Sequence, residues 1–341
     1  FAREDCCPAA GGRDMNKREL GRTGIPVSPL ALGGNVFGWT VDEPTAFKIL
    51  DAFVEANLDL IDTADVYSRW VPDNQNKESE TIIGNWMKER GNREKVVIAT
   101  KVGSELGAGL RGLSKVHILR SVEDSLRRLQ TDHIDLYQSH KDDPAVPIEE
   151  TLGAYEELIK EGKVRAIGAS NFTAKRLSRS LAISRDKGLP RYESLQPLYN
   201  LYDRAEFEHT LAPLCREQGI GVISYYGLAS GFLTGKYRSL QDLSKSVRGQ
   251  RVRSYLTERG FRILEALDQV AARYETVPAS VALAWVMAQP GITAPIASAT
   301  SVEQLKAFVE AANLKLDRQA MELLDKASAE PAAEKEARTA A

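Results

Sequence analysis

The sequence predicts a single (β/α)8 barrel, also called a TIM barrel, and two observations carry this prediction. Short apolar segments alternate with segments of helical periodicity about eight times, with no break in composition between them. Reactive side chains follow three successive apolar segments, and the carboxyl ends of parallel barrel strands share one rim, where active sites lie. A length of 341 residues fits this interpretation, because barrels of about 250 residues or more form one domain.

The predicted fold begins with a hairpin and then alternates strands with helices. Residues 18–28 contain two strand-like segments around a glycine turn, and this hairpin is expected to plug one end of the barrel. Wall strands are predicted at 30–34, 58–61, 96–100, 134–137, 164–168, 193–196, 220–224 and 292–294. Helices are predicted at 42–56, 79–90, 114–129, 148–160, 174–185, 207–217, 256–273 and 278–289. Two extra C-terminal helices are predicted to start near Ser301 and Asp317.

Three parts of the chain are predicted to lie outside the regular barrel. Residues 227–254 are rich in Gly, Ser and Arg, so we expect a loop or lid, with Arg248, Arg251 and Arg253 as a solvated cluster. Residues 1–14 precede Met15 and resemble nothing that follows, so a disordered tag or upstream extension is expected. The barrel is assigned to residues 15–329, and the alanine-rich, charged residues 330–341 are expected to form a disordered tail.

The composition argues against several classes of partner. Lys and Arg number 45 against 47 for Asp and Glu, so nothing attracts the chain to nucleic acid or to an anionic membrane. No apolar run reaches the roughly 18 residues that span a membrane. Three cysteines and four widely spaced histidines indicate neither a disulfide framework nor a metal site, so a reducing, cytoplasmic location is expected.

Four reactive side chains follow the second, third and fourth predicted wall strands. Asp62 ends the second strand and Tyr67 follows it. Lys101 follows the third strand, and His140 follows the fourth. Each residue alone has an ordinary explanation, such as a cap for Asp62 or a surface charge for Lys101. Because three neighbouring strands deliver these groups to one rim, we favour a catalytic role for all four.

Together these four groups would protonate an oxygen atom on which negative charge develops. The phenol of a tyrosine has an ordinary pKa of about 10, and a neighbouring ammonium lowers that pKa, which makes the phenol a better proton donor. A carboxylate paired with the lysine keeps the amine charged, and a histidine opposite orients a carbonyl. The set suits reduction of an aldehyde or ketone by a hydride donor, without a metal.

Further motifs accompany the four residues in a fixed order. They are Asp62-Thr-Ala-Asp-Val-Tyr67, Gln138-Ser-His140, residues 162–172, Gln196-Pro-Leu-Tyr-Asn200 and residues 231–237. With Lys101, these motifs closely resemble the aldo-keto reductase family over nearly the whole chain. The resemblance implies reduction of a small-molecule carbonyl substrate, with Tyr67 as general acid. It also implies that Lys101 and Asp62 adjust the pKa of Tyr67 and that His140 orients the carbonyl.

The same resemblance implies where a nicotinamide cofactor binds. Ser170, Asn171 and Gln196 would hold the carboxamide, and Tyr225 would stack on the ring. The loop at 228–237 would close over the pyrophosphate, and residues 298–308 would receive the adenosine end. The candidate cofactor-binding residues are Gly34, Asn35, Ser170, Asn171, Gln196, Tyr225, Tyr226, Leu228, Ser230, Gly231, Leu233, Lys236, Ser298, Thr300 and Gln304.

Two stretches depart from the family pattern. Thr300 and Phe308 stand where a basic residue and an asparagine are common, although Gln304 is retained. NADP, as NADPH, is therefore the expected cofactor with a weaker preference than usual, and NAD is the alternative. Tyr226 and Gly227 replace the more usual Ser-Pro and change the wall beside the ring. Aromatic residues of the rim loops are candidate substrate walls, namely Phe37, Trp39 and Trp70.

A literal G-x-G-x-x-G pattern at residues 107–112 is not interpreted as a dinucleotide fingerprint. In that fingerprint the first glycine closes a strand, so that the pyrophosphate meets a helix N-terminus. Here residues 101–106 intervene, and the helix starts only near Ser114. A flexible rim loop that frames the substrate pocket is expected instead.

Two other functions stay open at this point. Lys101 at a barrel strand end would also suit a Schiff-base aldolase, but Asp62 would keep its amine protonated, and the motifs around Ser170 and Gln196 would have no role. Some members of the family act instead as cofactor-sensing subunits of larger assemblies, and such subunits can keep all four reactive residues. The oligomeric state is left open.

Overall fold

A computed structural model describes residues 16–72, 78–105 and 112–330 of the chain. The expectations for residues 1–14 and for the tail beyond Glu330 concern residues outside these ranges. The glycine-rich pattern at 107–112 also lies outside them, except for its last glycine. The domain limits of 15–329 therefore stay a prediction.

Within the described ranges, the chain forms a closed barrel of parallel strands. Two short strands, β1 (Arg18–Glu19) and β2 (Pro26–Val27), pair antiparallel as a separate hairpin. The wall strands pair in chain order and the last closes on the first; they are β3 (Ala31–Gly33), β4 (Leu60–Asp62), β5 (Val97–Val102), β6 (Ile134–Ser139), β7 (Val164–Ser170), β8 (Tyr192–Gln196), β9 (Gly221–Ser224) and β10 (Ile292–Ala297). The predicted (β/α)8 barrel with an N-terminal hairpin is confirmed.

The helices of the described residues surround this barrel. They are α1 (Glu43–Glu55), α2 (Ser79–Arg90), α3 (Lys115–Leu129), α4 (Ile148–Lys160), α5 (Ala174–Lys187), α6 (Ala212–Gln218), α7 (Gly249–Val252), α8 (Glu258–Arg273), α9 (Pro278–Met287), α10 (Val302–Asn313) and α11 (Arg318–Ser328). Ser114 caps α3 as expected, since its hydroxyl oxygen accepts a hydrogen bond from the His117 amide. Helices α10 and α11 are the predicted C-terminal pair, and none of the described helices is long and apolar enough to cross a membrane.

The hairpin plugs the end of the barrel where the strands begin. Leu20, Ile25 and Val27 are fully or almost fully buried, in one apolar cluster with the inward-facing residues of the wall strands. The hairpin turn approaches the wall so closely that a Cβ on Gly21 would lie 2.1 Å from the carbonyl oxygen of Glu193. The opposite end, where the strands finish, is left for the site.

Strands β5, β6, β7 and β10 run further than the sequence indicates. Strands β5 and β7 extend to Val102 and Ser170, so Lys101 and Ser170 lie within strands rather than after them. Lys101 pairs with Gln138 of β6, and Ser170 pairs with Gln196 of β8. The backbone hydrogen bonds of a strand do not require apolar side chains, so the end of an apolar run underestimates the end of a strand.

Residues 227–254, expected to form a loop or lid, contain several short helical turns. This segment folds into 3-10 turns at Ala229–Thr234, Leu240–Lys245 and Arg253–Tyr255, together with the short helix α7. Phe232, Tyr237 and Val252 are fully buried and anchor the segment in the hydrophobic core. The segment is therefore a packed cover over the strand ends, held by apolar burial.

Candidate active site

Strands β4 and β5 bring a buried ion pair to the carboxyl-terminal rim. The Lys101 ammonium lies 2.7 Å from an Asp62 carboxylate oxygen, and both side chains are almost fully buried. Lys101 also donates hydrogen bonds to the Thr63 carbonyl oxygen at 2.8 Å and to the Tyr67 hydroxyl oxygen at 3.1 Å. One ammonium thus joins the carboxylate and the phenol that the sequence singled out.

The surroundings of Lys101 keep its amine protonated. Burial alone would lower the pKa of Lys101, but the adjacent Asp62 and Tyr67 outweigh burial, so that the pKa is raised. A Schiff-base aldolase needs a neutral, nucleophilic amine. The electrostatics of this pair therefore argue against the aldolase alternative.

Tyr67 presents its phenol to a cavity above this pair. Contrary to the lowering expected from the sequence, the pKa of Tyr67 is raised above its ordinary value, because burial outweighs the positive charge of Lys101. The phenol is therefore protonated at neutral pH and can donate its proton. Its ring contacts His140 edge to face, with 6.0 Å between the ring centroids.

His140 lines the same cavity as a neutral imidazole. Burial, helped by the positive charges of Lys101 and Lys141, lowers the pKa of His140 to about 3. Its Nδ1 atom is buried and has no hydrogen-bond partner among the described residues. The N–H group of a neutral imidazole at the rim can donate a hydrogen bond to a substrate oxygen without adding charge.

Polar side chains of the neighbouring strands connect the ion pair to the cavity wall. Gln196 donates a hydrogen bond to the second Asp62 oxygen at 2.7 Å, and Ser170 donates to the Gln196 carbonyl oxygen at 2.9 Å. Asn171, in a left-handed conformation at φ 56°, donates to the His140 carbonyl oxygen at 2.9 Å. Tyr225 in turn donates to the Asn171 side-chain oxygen at 2.9 Å. This network fixes the orientation of the wall next to Asp62 and His140.

Two adjoining cavities contain most of the predicted site residues. The first, of about 480 Å³, is lined by Asn35, Trp39, Asp62, Tyr67, Trp70, His140, Ser170, Asn171, Gln196, Tyr225 and Tyr226 among others. The second, of about 510 Å³, is lined by Gly231, Lys236, Thr300, Gln304 and Phe308 among others. Leu228, Ser230, Arg248 and Ser298 line both cavities. The shared residues make the two cavities one elongated cleft.

Four predicted residues do not line this cleft. Lys101 lies beneath it and contacts Tyr67. Gly34 is buried, and its carbonyl oxygen accepts a hydrogen bond from Ser79 at 2.8 Å. Leu233 and Phe37 are fully buried in the hydrophobic core. Phe37 is therefore a packing residue in this structure, whereas the candidate walls Trp39 and Trp70 do line the cavity.

The cleft suits a dinucleotide that extends from Tyr67 to helix α10. Lys236 lines the second cavity, and no carboxylate within the described ranges pairs with its ammonium, which lies 5.2 Å from the Tyr237 ring centroid. Lys306, by contrast, pairs with Glu303 at 3.0 Å and does not line the cleft. Thr300 hydrogen-bonds to Gln304 through its amide at 3.0 Å. Lys236 and the polar groups of residues 298–304 are the groups placed to meet phosphate oxygens.

Sequence reasoning did not assign the two arginines that line the cleft. Arg248 and Arg251, expected to be solvated, both line the first cavity. The available signal was a group of basic residues in a segment that directly follows the barrel strand β9. Only the fold of the cover turns two of these side chains toward the site.

A buried carboxylate lies behind the ion pair without a hydrogen-bond partner. Both carboxylate oxygens of Asp65 are buried and unbonded within the described ranges. Burial, together with the nearby Glu80, raises the pKa of Asp65 to about 8. Glu80 itself accepts hydrogen bonds from Thr100 at 2.5 Å and Arg128 at 2.7 Å. Asp65 is therefore largely protonated at neutral pH.

Comparisons with known proteins agree on one family. A family model described as the Aldo/keto reductase family matches residues 29–329. The chain is 38% identical over 322 residues to the uncharacterized oxidoreductase YrpG of Bacillus subtilis, and the aligned region covers 91% of this chain and 95% of that protein. It is 34% identical over 312 residues to the aldo-keto reductase YhdN of the same organism, with 87% and 88% covered. It is also 32% identical over 329 residues to a Schizosaccharomyces pombe protein thought to be a voltage-gated potassium channel subunit beta, with 91% of each chain covered.

Proposed function

The chain belongs to the aldo-keto reductase family, and on this premise we propose that it reduces an aldehyde or ketone to an alcohol, with Tyr67 as general acid. Members of the family use nicotinamide cofactors, generally NADPH. The observation that carries the proposal is the single ammonium of Lys101, which contacts both Asp62 and the Tyr67 hydroxyl at the floor of a cleft.

Each of the four central residues has a separate task in this proposal. The nicotinamide cofactor, when bound, supplies the hydride. Tyr67 gives its proton to the carbonyl oxygen as negative charge develops there. Lys101 stabilises the phenolate that remains, and Asp62 holds the ammonium in place. His140, neutral because of its lowered pKa, hydrogen-bonds the carbonyl oxygen and turns it toward Tyr67.

The proposed cofactor site follows the cleft. Ser170, Asn171 and Gln196 line the cavity next to Asp62 and would hold the carboxamide, and Tyr225 would stack on the nicotinamide ring. The second cavity would receive the adenosine end. NADPH is the proposed preference over NADH because the family generally uses NADPH, whereas Lys236 would meet the pyrophosphate that both cofactors carry.

The test is a titration with NADPH and NADH, followed by oxidation of the reduced cofactor on addition of para-nitrobenzaldehyde. We expect tighter binding of NADPH and turnover by the wild type. Tyr67→Phe should lose about 10²–10⁴-fold in kcat, the usual contribution of a positioned proton donor, while the Kd for NADPH changes little. Tyr274→Phe, outside the cleft, is the matched control and should keep the wild-type rate. A Tyr67→Phe variant at the wild-type rate would show that Tyr67 is not the acid.

A second candidate function is a cofactor-sensing subunit with little turnover. The similarity to the S. pombe protein thought to be a channel subunit favours this possibility over other non-enzymatic roles. The same titration separates the two functions. Tight NADPH binding without turnover on a broad panel of aldehydes would support the sensing subunit and contradict the reductase.

A further inference from the structure

Two arginines of the cover segment form one wall of the cavity above Tyr67. Arg248 and Arg251 both line this cavity. The Arg251 guanidinium donates a hydrogen bond to the Tyr226 hydroxyl at 3.3 Å. The Arg248 guanidinium lies over the Trp39 ring, 5.3 Å from its centroid, and donates to the Asn35 side-chain oxygen at 3.4 Å. The partners of both guanidinium groups are therefore neutral.

Neither guanidinium has a carboxylate partner within the part of the chain that the structure describes. The only carboxylate that lines this cavity among the described residues is Asp62, and its charge is already matched by Lys101. Burial and the repulsion of Arg251 lower the pKa of Arg248, yet an arginine side chain stays charged. Arg248 is half-buried and is repelled by the nearby, exposed Arg251, so an anion that bound to both guanidinium groups would relieve this repulsion.

The two arginines differ in which cavity they face. Arg248 lines both cavities and stands at the boundary between the proposed nicotinamide and phosphate regions. Arg251 lines only the cavity above Tyr67. A cofactor phosphate therefore accounts for Arg248 but leaves Arg251 without an anionic partner. The remaining source of negative charge in that cavity is the substrate.

We propose that this cavity selects carbonyl substrates that carry a carboxylate, and that Arg251, supported by Arg248, binds the carboxylate. The inference rests on the proposed reductase function and narrows it to a substrate class. A guanidinium presents two parallel N–H donors that match a carboxylate, so the contact fixes orientation as well as charge. Bound in this way, the anionic end would hold the carbonyl at the opposite end against Tyr67 and His140.

Two tryptophans next to the arginines indicate what joins the carboxylate to the carbonyl. Trp39 and Trp70 meet edge to face with 5.8 Å between centroids, and Trp70 lies 6.4 Å from Tyr67 in a similar arrangement. Trp70 is also half exposed. An exposed aromatic side chain at the mouth of a cavity is typical of a ligand-binding surface. These rings form an apolar wall next to the proposed acid, and an aromatic or otherwise flat apolar body would pack against it.

The experiment compares each acid with its neutral ester. We would measure kcat/KM with NADPH for para- and meta-formylbenzoate and for their methyl esters, which differ only in charge and one methyl group. For at least one isomer the wild type should prefer the acid by about ten-fold or more at low ionic strength. Arg251→Gln should bring this ratio close to one, and Arg251→Lys should retain part of it. Arg253→Gln removes the same charge from a neighbouring residue outside the cleft and should leave the ratio unchanged.

Several outcomes would overturn the proposal. Efficient reduction of the esters with no preference for either acid would refute the carboxylate site while leaving the reductase function intact. If Arg251→Gln weakened NADPH binding more than NADH binding and kept the acid preference, Arg251 would serve the cofactor phosphate instead.

A binding measurement keeps the inference testable without turnover. Calorimetry with the NADP complex should detect tighter binding of benzoate than of benzamide, and Arg251→Gln should abolish the difference. Equal binding of the two would refute the anion site. Failure of all four aldehydes to react, with selective benzoate binding intact, would instead refute the reductase function alone.

Discussion

At the scale of single residues, one buried cation organises the site. Lys101 is fully buried and contacts Asp62, Thr63 and Tyr67 through its ammonium. A buried ammonium without a carboxylate would cost several kcal/mol. Asp62 is therefore needed for the stability of the fold as well as for the proposed chemistry. The same pairing keeps the Lys101 ammonium close to the phenolate that would form on Tyr67.

A second buried residue, Asp65, makes stability depend on pH. In the unfolded chain an aspartate loses its proton near pH 4, whereas in the folded protein Asp65 has a pKa of about 8. Between these values the folded state binds more protons than the unfolded state. The free energy of unfolding contributed by this residue therefore falls as the pH rises from about 4 to about 8, and the loss is complete above that window.

Replacing this carboxyl by an amide should remove that loss. Asp65→Asn should be more stable than the wild type at pH 8 by about 2–5 kcal/mol, and the gain should shrink toward pH 5. Urea unfolding at pH 5, 6.5 and 8 measures the difference, with the exposed Asp186→Asn as control. A gain independent of pH would mean that Asp65 is not protonated in the folded protein.

At the scale of elements, helix α2 packs closely against α3 and contacts strand β5, which carries Lys101. Gly84 of α2 lies against the end of α3, where an added Cβ would be 2.1 Å from the Arg128 carbonyl oxygen. This contact brings Glu80, also on α2, within reach of Arg128 and of Thr100 on β5. The helix thus reaches the strand that carries Lys101.

Two helical glycines test this packing as a matched pair. Gly84→Ala should destabilise the protein by about 1–3 kcal/mol, because a Cβ there overlaps backbone atoms that cannot move independently. Gly153 of α4 has no atom within 4 Å of an added Cβ. Gly153→Ala should therefore stabilise the protein by up to about 1 kcal/mol, through helix propensity alone. Denaturant unfolding of both variants gives the comparison, and equal effects would contradict the close α2–α3 contact.

At the scale of the whole molecule, the two ends of the barrel have different roles. The hairpin fills the end where the strands begin, and the cleft occupies the end where they finish. Apolar side chains from seven of the eight wall strands, all except β8, meet between these ends in the barrel interior. Stability can therefore be altered at one end without touching the chemistry at the other.

A substitution in the hairpin should show this separation. Leu20→Ala, at a fully buried position, should lower the free energy of unfolding by about 2–5 kcal/mol. Below its unfolding transition, the variant should keep the wild-type kcat and KM. Val116→Ala, at a position 79% exposed, should change neither stability nor kinetics. Reduced kcat in the fully folded Leu20→Ala variant would show that the two ends are coupled.

Element order was predictable because it depends on local patterns. Helices α2 and α4 begin and end at the predicted residues, since apolar periodicity and caps are properties of consecutive residues. The ends of β5 and β7 were underestimated because pairing with the neighbouring strand, which is not local, extends them. The sequence did not predict the contacts of Glu80 with Arg128 and Thr100, because these residues lie on three separate elements.

The sequence alone determined the barrel, its hairpin and the grouping of Tyr67 with Asp62, Lys101 and His140, because strand order in a parallel barrel places successive strand ends on one rim. Tertiary structure decided the rest of the cleft. The apolar anchors of the cover segment turn Arg248 and Arg251 toward the cavity, and core packing withdraws Phe37 from it. Which way a rim side chain points depends on contacts between residues far apart in the chain, and a local pattern contains no information about them.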